Sequence, residues 1–287
     1  MSEALERWKQ RLARIPGATV LLRAFEKSNE DHAKDMAASI AYFSFFSLFP
    51  LLVGVIAGAS LFLERSEIQA RLDRMLSDEF PGSADFLRTN VEALIDLRGA
   101  AGIASVAGLF WSASKMFGAL SRGINLAFGM PKDHPFYLSK LRYFGMTVLV
   151  SLLLLSAVGA SMALDVIAQF KPAQLGLDDS ALSSLGGHLA SFVFVFAMVL
   201  VLYALVPYKR RPWKELLPGA LVAALLFEIG KALFVLYLEN VGSLEAVYGS
   251  LTSVIVLLLW LYFSARVLLF GAELIATRRE ARLPEPS

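Results

Sequence analysis

Long apolar runs alternate with polar gaps along this chain, at residues 36–63, 99–120, 141–164, 189–206, 216–238 and 246–275. At about 1.5 Å per helical residue, each is near the length that crosses a hydrocarbon core of ~30 Å. Backbone amides surrounded by lipid must be bonded inside their own segment, so runs of this length predict helices. The pattern predicts an all-α polytopic membrane protein with six transmembrane helices. The predicted divisions are a cytoplasmic amphipathic segment at 1–35, a six-helix membrane domain at 36–276 and a cytoplasmic tail at 277–287.

The gaps have their own patterning. Leu5, Trp8, Leu12 and Ile15 recur at helical spacing among Arg7, Lys9, Arg11 and Arg14. That arrangement suits a helix lying on an anionic membrane surface, or one packed on the protein's own inner face. The first 35 residues carry 13 charges and no short apolar core, so the run at 36–63 reads as a retained anchor rather than a cleaved signal. In the gap 64–98, one stripe holds Ile68, Leu72, Met75 and Leu76, and a second holds Phe86, Leu87, Val91, Leu94 and Ile95, with Pro81 and Gly82 between them. Two amphipathic helices, at 66–79 and 83–97, are expected to cap the external side. The gap 165–188, with Lys171-Pro172 and Asp178-Asp179, reads as an acidic loop.

Charge adds orientation. Outside the runs, with Lys115 and Arg142 counted in the gap they border, 19 Lys and Arg fall in one alternating set of regions and six in the other. The excess of Lys and Arg on one side predicts that both termini are cytoplasmic. A hydrophobic content of 56% over 287 residues exceeds what a soluble core requires. The net charge of +2 gives no reason to expect nucleic-acid binding. With no Cys and three scattered His, neither a disulfide, a thiolate site nor a zinc centre is expected, and no cofactor is predicted.

The candidate chemistry lies inside the runs, where an ionisable side chain at the bilayer centre costs at least ~2.5–3.5 kcal/mol. Glu228 and Lys231, three residues apart, share a helix face and can neutralise each other. Arg266 and Glu273 share a face of the last run, as do Lys115 and Arg122 on the second, all in cytoplasmic halves where long side chains reach the headgroups cheaply. Converging cations there would suit phosphate or carboxylate groups. Pro50 removes a backbone hydrogen bond from the first run and is expected to kink it, beside Tyr42 and Ser47, whose hydroxyls could serve freed carbonyls. Asn125 adds a polar group near a helix end. These residues make no catalytic constellation, so no enzyme is expected.

Several stretches taken in order resemble a known family. Ala41-Tyr42-Phe43-Ser44-Phe45-Phe46-Ser47-Leu48-Phe49-Pro50-Leu51-Leu52, Trp111-Ser112-Ala113-Ser114 with Asn125, Leu217-Pro218-Gly219-Ala220, Tyr248-Gly249-Ser250-Leu251, Leu259-Trp260-Leu261-Tyr262 and Gly271-Ala272-Glu273-Leu274 are similar to the signature stretches of the YihY/BrkB family. The resemblance covers roughly residues 20–280. It implies a six-helix bacterial inner-membrane protein of a family whose members have been called virulence or serum-resistance factors, and some of which once carried a ribonuclease BN label.

Three functions are weighed. A carrier or flippase for a lipid or other amphiphilic anion would use Glu228, Lys231 and the basic mouth, with membrane lipids as partners. A small osmolyte or ion exporter is a variant. A scaffold would use the external helices to dock envelope proteins. Nuclease action is not expected, because the acids gather outside. The oligomeric state is left open.

Overall fold

A computed structural model of the protein describes residues 18–59, 70, 73–74, 76–77, 80, 82–96, 100–130, 141–146, 148–149, 152, 179–240 and 248–281. Its named elements are α1 (Ala18–Glu30), α2 (Ala33–Ala59), α3 (Ala84–Asp96), α4 (Ala100–Ala127), α5 (Asp179–Leu205), α6 (Trp213–Asn240) and α7 (Thr252–Glu280), the last preceded by a 3-10 turn at Gly249–Leu251. The described residues contain no strand. The stripe at Leu5–Ile15, most of the third apolar run, residues 165–178 and most of the expected helix at 66–79 lie outside the described residues.

The helices overrun the apolar windows. The sequence reading of 165–188 as a loop is corrected over its last ten residues, since α5 begins at Asp179. An acidic residue suits that position, because negative charge complements the exposed N–H groups of a helix start. At the other end of the chain, α7 continues to Glu280, past the expected boundary at 276, with Arg278 and Arg279 in its last turn. A helix needs apolar side chains only while it is in lipid, so hydropathy marks the immersed part and misses the polar extensions.

α7 is the centre of the bundle. One large core joins residues of α2, α4, α5, α6 and α7, including Ala37, Ile40, Phe117, Ile124, Tyr203, Ala220, Ala223, Leu269 and Ala272. Small residues set its closest crossing. A Cβ built on Gly271 would stand 2.9 Å from both the Gly219 carbonyl oxygen and Ala223 Cβ, so α6 and α7 touch backbone to backbone there. Tyr203 on α5 closes the same crossing by donating its hydroxyl to the Leu268 carbonyl at 2.6 Å. Three turns along α6, Gly230 leaves the space that Phe263 fills.

The far end is capped by α3. Leu87 is buried against Leu48, Leu52, Leu76 and Leu257, and Phe86 meets Phe49 edge to face. Ser83 Oγ donates to the Ser253 carbonyl, fixing the start of α3 to the start of α7. At the opposite end, α1 turns into α2 through His32, whose positive φ of 52° permits the two-residue break. That end gathers α1, the end of α4, the α5–α6 turn and the end of α7, and with them Lys27, Lys34, Arg122, Arg142, Lys209, Arg210, Arg211, Lys214, Arg278 and Arg279.

The outward face of α6 is apolar throughout. Leu217, Leu221, Leu225, Ile229, Leu233 and Leu236 are all exposed, and exposed Trp213 and Tyr237 bracket them. At about 1.5 Å per residue the stripe is roughly 29 Å long, the thickness of a bilayer core. Water would not tolerate such a surface, whereas lipid would. Both α6 and α7 are long and apolar enough to cross a membrane.

Candidate functional site

Glu228 and Lys231 meet on one face of α6 because three residues make nearly one helical turn. Their charged atoms are 3.0 Å apart. Both turn towards α5, where Ser191 joins them: its hydroxyl donates to Glu228 Oε1 at 3.1 Å and accepts from Lys231 Nζ at 2.9 Å. Lys231 Nζ also lies 5.6 Å from the centre of the Phe227 ring. Measured from Leu217, Glu228 is about 17 Å along the apolar stripe, close to its midpoint. The pair is not sealed: the Lys231 side chain keeps 13% and the Glu228 side chain 22% of its exposure. Exposed Leu225, Ile229 and Leu233 on α6, and Leu189 and Val193 on α5, flank it. A dipolar site with one cation and one anion thus opens sideways through an apolar wall. It can exchange its internal ion pair for contacts with a charged group whose remainder is apolar.

A second polar assembly lies at the basic end. Glu273, 1% exposed, has its cationic partner on α1: Lys27 Nζ is 3.8 Å from Glu273 Oε2. The same ammonium donates at 3.1 Å to Glu280 Oε1 and at 3.1 Å to the Ala127 carbonyl, where α4 ends and carbonyls lack helical donors. Arg211 stacks 4.1 Å over the Phe128 ring and donates to the Phe128 carbonyl. Burial pushes its guanidinium below the ordinary arginine range and Arg279 adds to the effect, while Glu215 and Glu280 oppose it. Arg142 donates to the carbonyls of Leu205 and Pro207, holding the α5–α6 turn.

The remaining sequence candidates are dispersed. Asn125 is buried and committed to the fold: its Oδ1 accepts the Tyr208 N–H at 2.8 Å, and its amide donates to the Ser121 carbonyl and hydroxyl. Ser47 is buried at the α2–α4 seam, donating to the Ser44 carbonyl and to Met116 Sδ. Tyr42 points outward, its ring edge-on to Phe43 and Phe46. Position 50 lies within α2, while the Pro50 side chain lies outside the described residues. Lys115 and Arg122 are exposed on α4, Lys115 with its ammonium 5.9 Å from the Trp111 ring and Arg122 lying back towards Gly118. Arg266 is partly buried on α7, and its Nη1 is enclosed without a hydrogen-bond partner. Sequence reasoning missed Ser191 and Lys27. Each comes from a different helix than the residue it serves, and spacing within one helix carries no signal of that.

The model of the family described as Virulence factor BrkB matches residues 24–287. The chain belongs to the BrkB family. This BrkB-family chain is 27% identical over 266 residues to a UPF0761 membrane protein of Psychromonas ingrahamii, covering 91% of this chain and 87% of that one. It is 27% identical over 282 residues to a UPF0761 membrane protein of Cronobacter sakazakii, covering 95% and 93%. A Xanthomonas axonopodis pv. citri UPF0761 membrane protein is 29% identical over 276 residues, covering 95% of this chain and 64% of its own. No solved structure matches it. The relatives are named as membrane proteins, in agreement with the lipid-length apolar face of α6.

Proposed function

We propose that this BrkB-family protein is a non-enzymatic carrier or flippase of the bacterial inner membrane, moving a lipid or other amphiphilic anion of the envelope. In this reading six helices span the bilayer and the basic end, with both termini, faces the cytoplasm. The exposed Leu21 and Phe25 of α1 then lie at headgroup level beside Arg23.

One observation carries the proposal: a satisfied but laterally open Glu228–Lys231–Ser191 cluster halfway along an apolar wall. A lipid has to move its polar group through hydrocarbon while its chains stay in it. Lys231 offers that group a cation at the depth of greatest cost, and Glu228 keeps the site neutral between passages. The exposed cations Lys115 and Arg122, with Arg266, supply the inner approach in this reading. The scaffold alternative has less support, since Phe86 and Leu87 of the external helix are already used against the protein's own end.

The test is reconstitution into phosphatidylethanolamine–phosphatidylglycerol vesicles carrying a fluorescent phospholipid, followed by dithionite quenching. The wild type is expected to move the probe faster than empty vesicles, and Glu228→Gln with Lys231→Met to abolish the gain. If neither phospholipids nor lipid-linked glycans move, or if the double variant matches the wild type, the carrier reading fails. Flux of water-soluble solutes without any lipid movement would favour the osmolyte or ion exporter.

A further inference from the structure

Among the described residues, Arg266 is a charged group that the fold leaves without a counterpart. Its Nη1 is enclosed without a hydrogen-bond partner, and no carbonyl or carboxylate among the described residues accepts from the rest of its fork. The sequence placed Arg266 in the inner half of its apolar run. The helix corrects that depth, because α7 runs from Thr252 to Glu280 and Arg266 is its middle residue. Packing agrees: three residues before it Phe263 fills the space beside Gly230, and five residues after it Gly271 lies against Gly219 and Ala223. Arg266 is therefore level with about residue 227 of α6, the midpoint of the exposed apolar stripe from Leu217 to Leu236. A guanidinium stays charged in proteins, so at that depth it needs an anion or water.

Helix spacing shows where an anion can enter. Leu259, Arg266 and Glu273 are seven residues apart and share one face of α7. At the basic end α1 covers that face, where Glu273 is 1% exposed beside Lys27. Towards the other end the face is bare, and Leu259 is 41% exposed. Arg266, partly buried, stands where the cover ends. Glu228, at the same depth, turns to Lys231 and Ser191 instead. The oxyanion for Arg266 must then come from outside the described fold, sideways through hydrocarbon, attached to apolar chains. The common membrane oxyanion of that kind is the phosphate of a phospholipid, which suits the planar guanidinium fork.

We propose that Arg266 binds the phosphate of an anionic phospholipid on the Leu259 face of α7, near the middle of the bilayer. The inference deepens the carrier reading, on which its part in passage rests, by naming phosphate as the charged group of the substrate. Binding itself needs no movement, so vesicles that move no lipid would end the carrier reading and leave this site standing.

The experiment is photocrosslinking of the purified full-length protein in mixed micelles, followed by peptide mapping. The probes are phosphatidylglycerol and phosphatidylcholine, each with a diazirine at the headgroup end of one acyl chain, and adducts at the basic end serve as the internal reference. Phosphatidylglycerol is expected to label α7 between Leu259 and Phe270 about tenfold more than phosphatidylcholine does, the scale of one charge-assisted hydrogen bond. Arg266→Met should cut that label about tenfold relative to the reference, and Arg266→Lys, which keeps the charge without the fork, by less. Because the described fold gives Arg266 no partner, Arg266→Met should unfold in lipid-free detergent no earlier than the wild type, read by tryptophan fluorescence, and gain less from added phosphatidylglycerol. Equal labelling by the two lipids, or a label that survives Arg266→Met, would overturn the proposal. So would an Arg266→Met variant that loses the same stability with and without lipid, since that marks a partner within the fold. Loss of the label in excess inorganic phosphate would assign the site to a water-soluble anion and overturn the lipid.

Discussion

Replacing Gly219 by Ala tests the architecture at its tightest point. A methyl there would stand 2.5 Å from the Gly271 carbonyl oxygen and 2.7 Å from Ile275 Cδ1. Carbon–oxygen contacts between packed helices are normally about 3.3–3.6 Å, so the backbones must part by roughly 0.8 Å or more. Ile275 can change rotamer, but the Gly271 oxygen belongs to the α7 backbone and moves only with its helix. Forced overpacking of this kind costs about 1–3 kcal/mol. Against it stands the gain in helix propensity of Ala over Gly, about 1 kcal/mol in an ordinary helix.

A second glycine removes that offset from the comparison. Among the described residues, a Cβ added at Gly145 meets nothing within 4 Å, and Gly145 too is helical. Gly145→Ala therefore receives the propensity term without the clash, and the difference between the two variants isolates the crossing. Unfolding by SDS in mixed bicelles, read by tryptophan fluorescence, should place Gly219→Ala below Gly145→Ala by about 1–3 kcal/mol. A difference under about 0.5 kcal/mol would mean that α6 and α7 do not touch backbone to backbone, since that is the scale of unrelated surface changes.

Asn125→Leu should lower stability by about 1–3 kcal/mol in the same assay, because it strips the Tyr208 N–H of its acceptor in the α5–α6 turn, whereas Asn125→Asp keeps an acceptor oxygen there; equal stability of the Leu and Asp variants would refute that role. The chain has no native Cys, so single cysteines report topology cleanly. In intact cells an impermeant maleimide should label Thr89→Cys and leave Arg210→Cys unlabelled until the membrane is opened; the reverse result would invert the orientation and displace the carrier proposal.

The legibility of this chain follows from which distances a sequence encodes. Apolar runs of bilayer length marked α2, α4, α5, α6 and α7, since the backbone amides of so long an apolar run are best bonded within their own helix. The Glu228–Lys231 pair was equally readable, because an i, i+3 spacing fixes a distance within one helix. Ser191 was not, being 40 residues away from Lys231 on another element. Glu273 shows the limit most clearly. Spacing offered Arg266, two turns back along α7, yet the cation beside it is Lys27 on α1, a partner decided by how α1 folds over the bundle end. The stretches containing Gly219 and Gly271 stood out separately, while only packing shows that they are two halves of one contact.

The two acid–lysine pairs differ in a way that bears on mechanism. Lys27 bridges three elements, reaching Glu273 and Glu280 on α7 and the end of α4, so breaking its contacts would release α1 and leave a nearly inaccessible carboxylate uncompensated. Glu228 and Lys231 belong to one helix. Their ion pair lies within α6, and Ser191 meets it from α5 through a neutral hydroxyl, whose bonds are individually modest. Meanwhile α6 remains fixed to α7 through Gly219, Gly230 and their aromatic and glycine partners. A site that must admit and release a charged headgroup needs this combination: an internal counter-ion that can be displaced cheaply, set on a helix whose position does not depend on it. The pair at the basic end has the opposite arrangement, suited to holding the bundle closed.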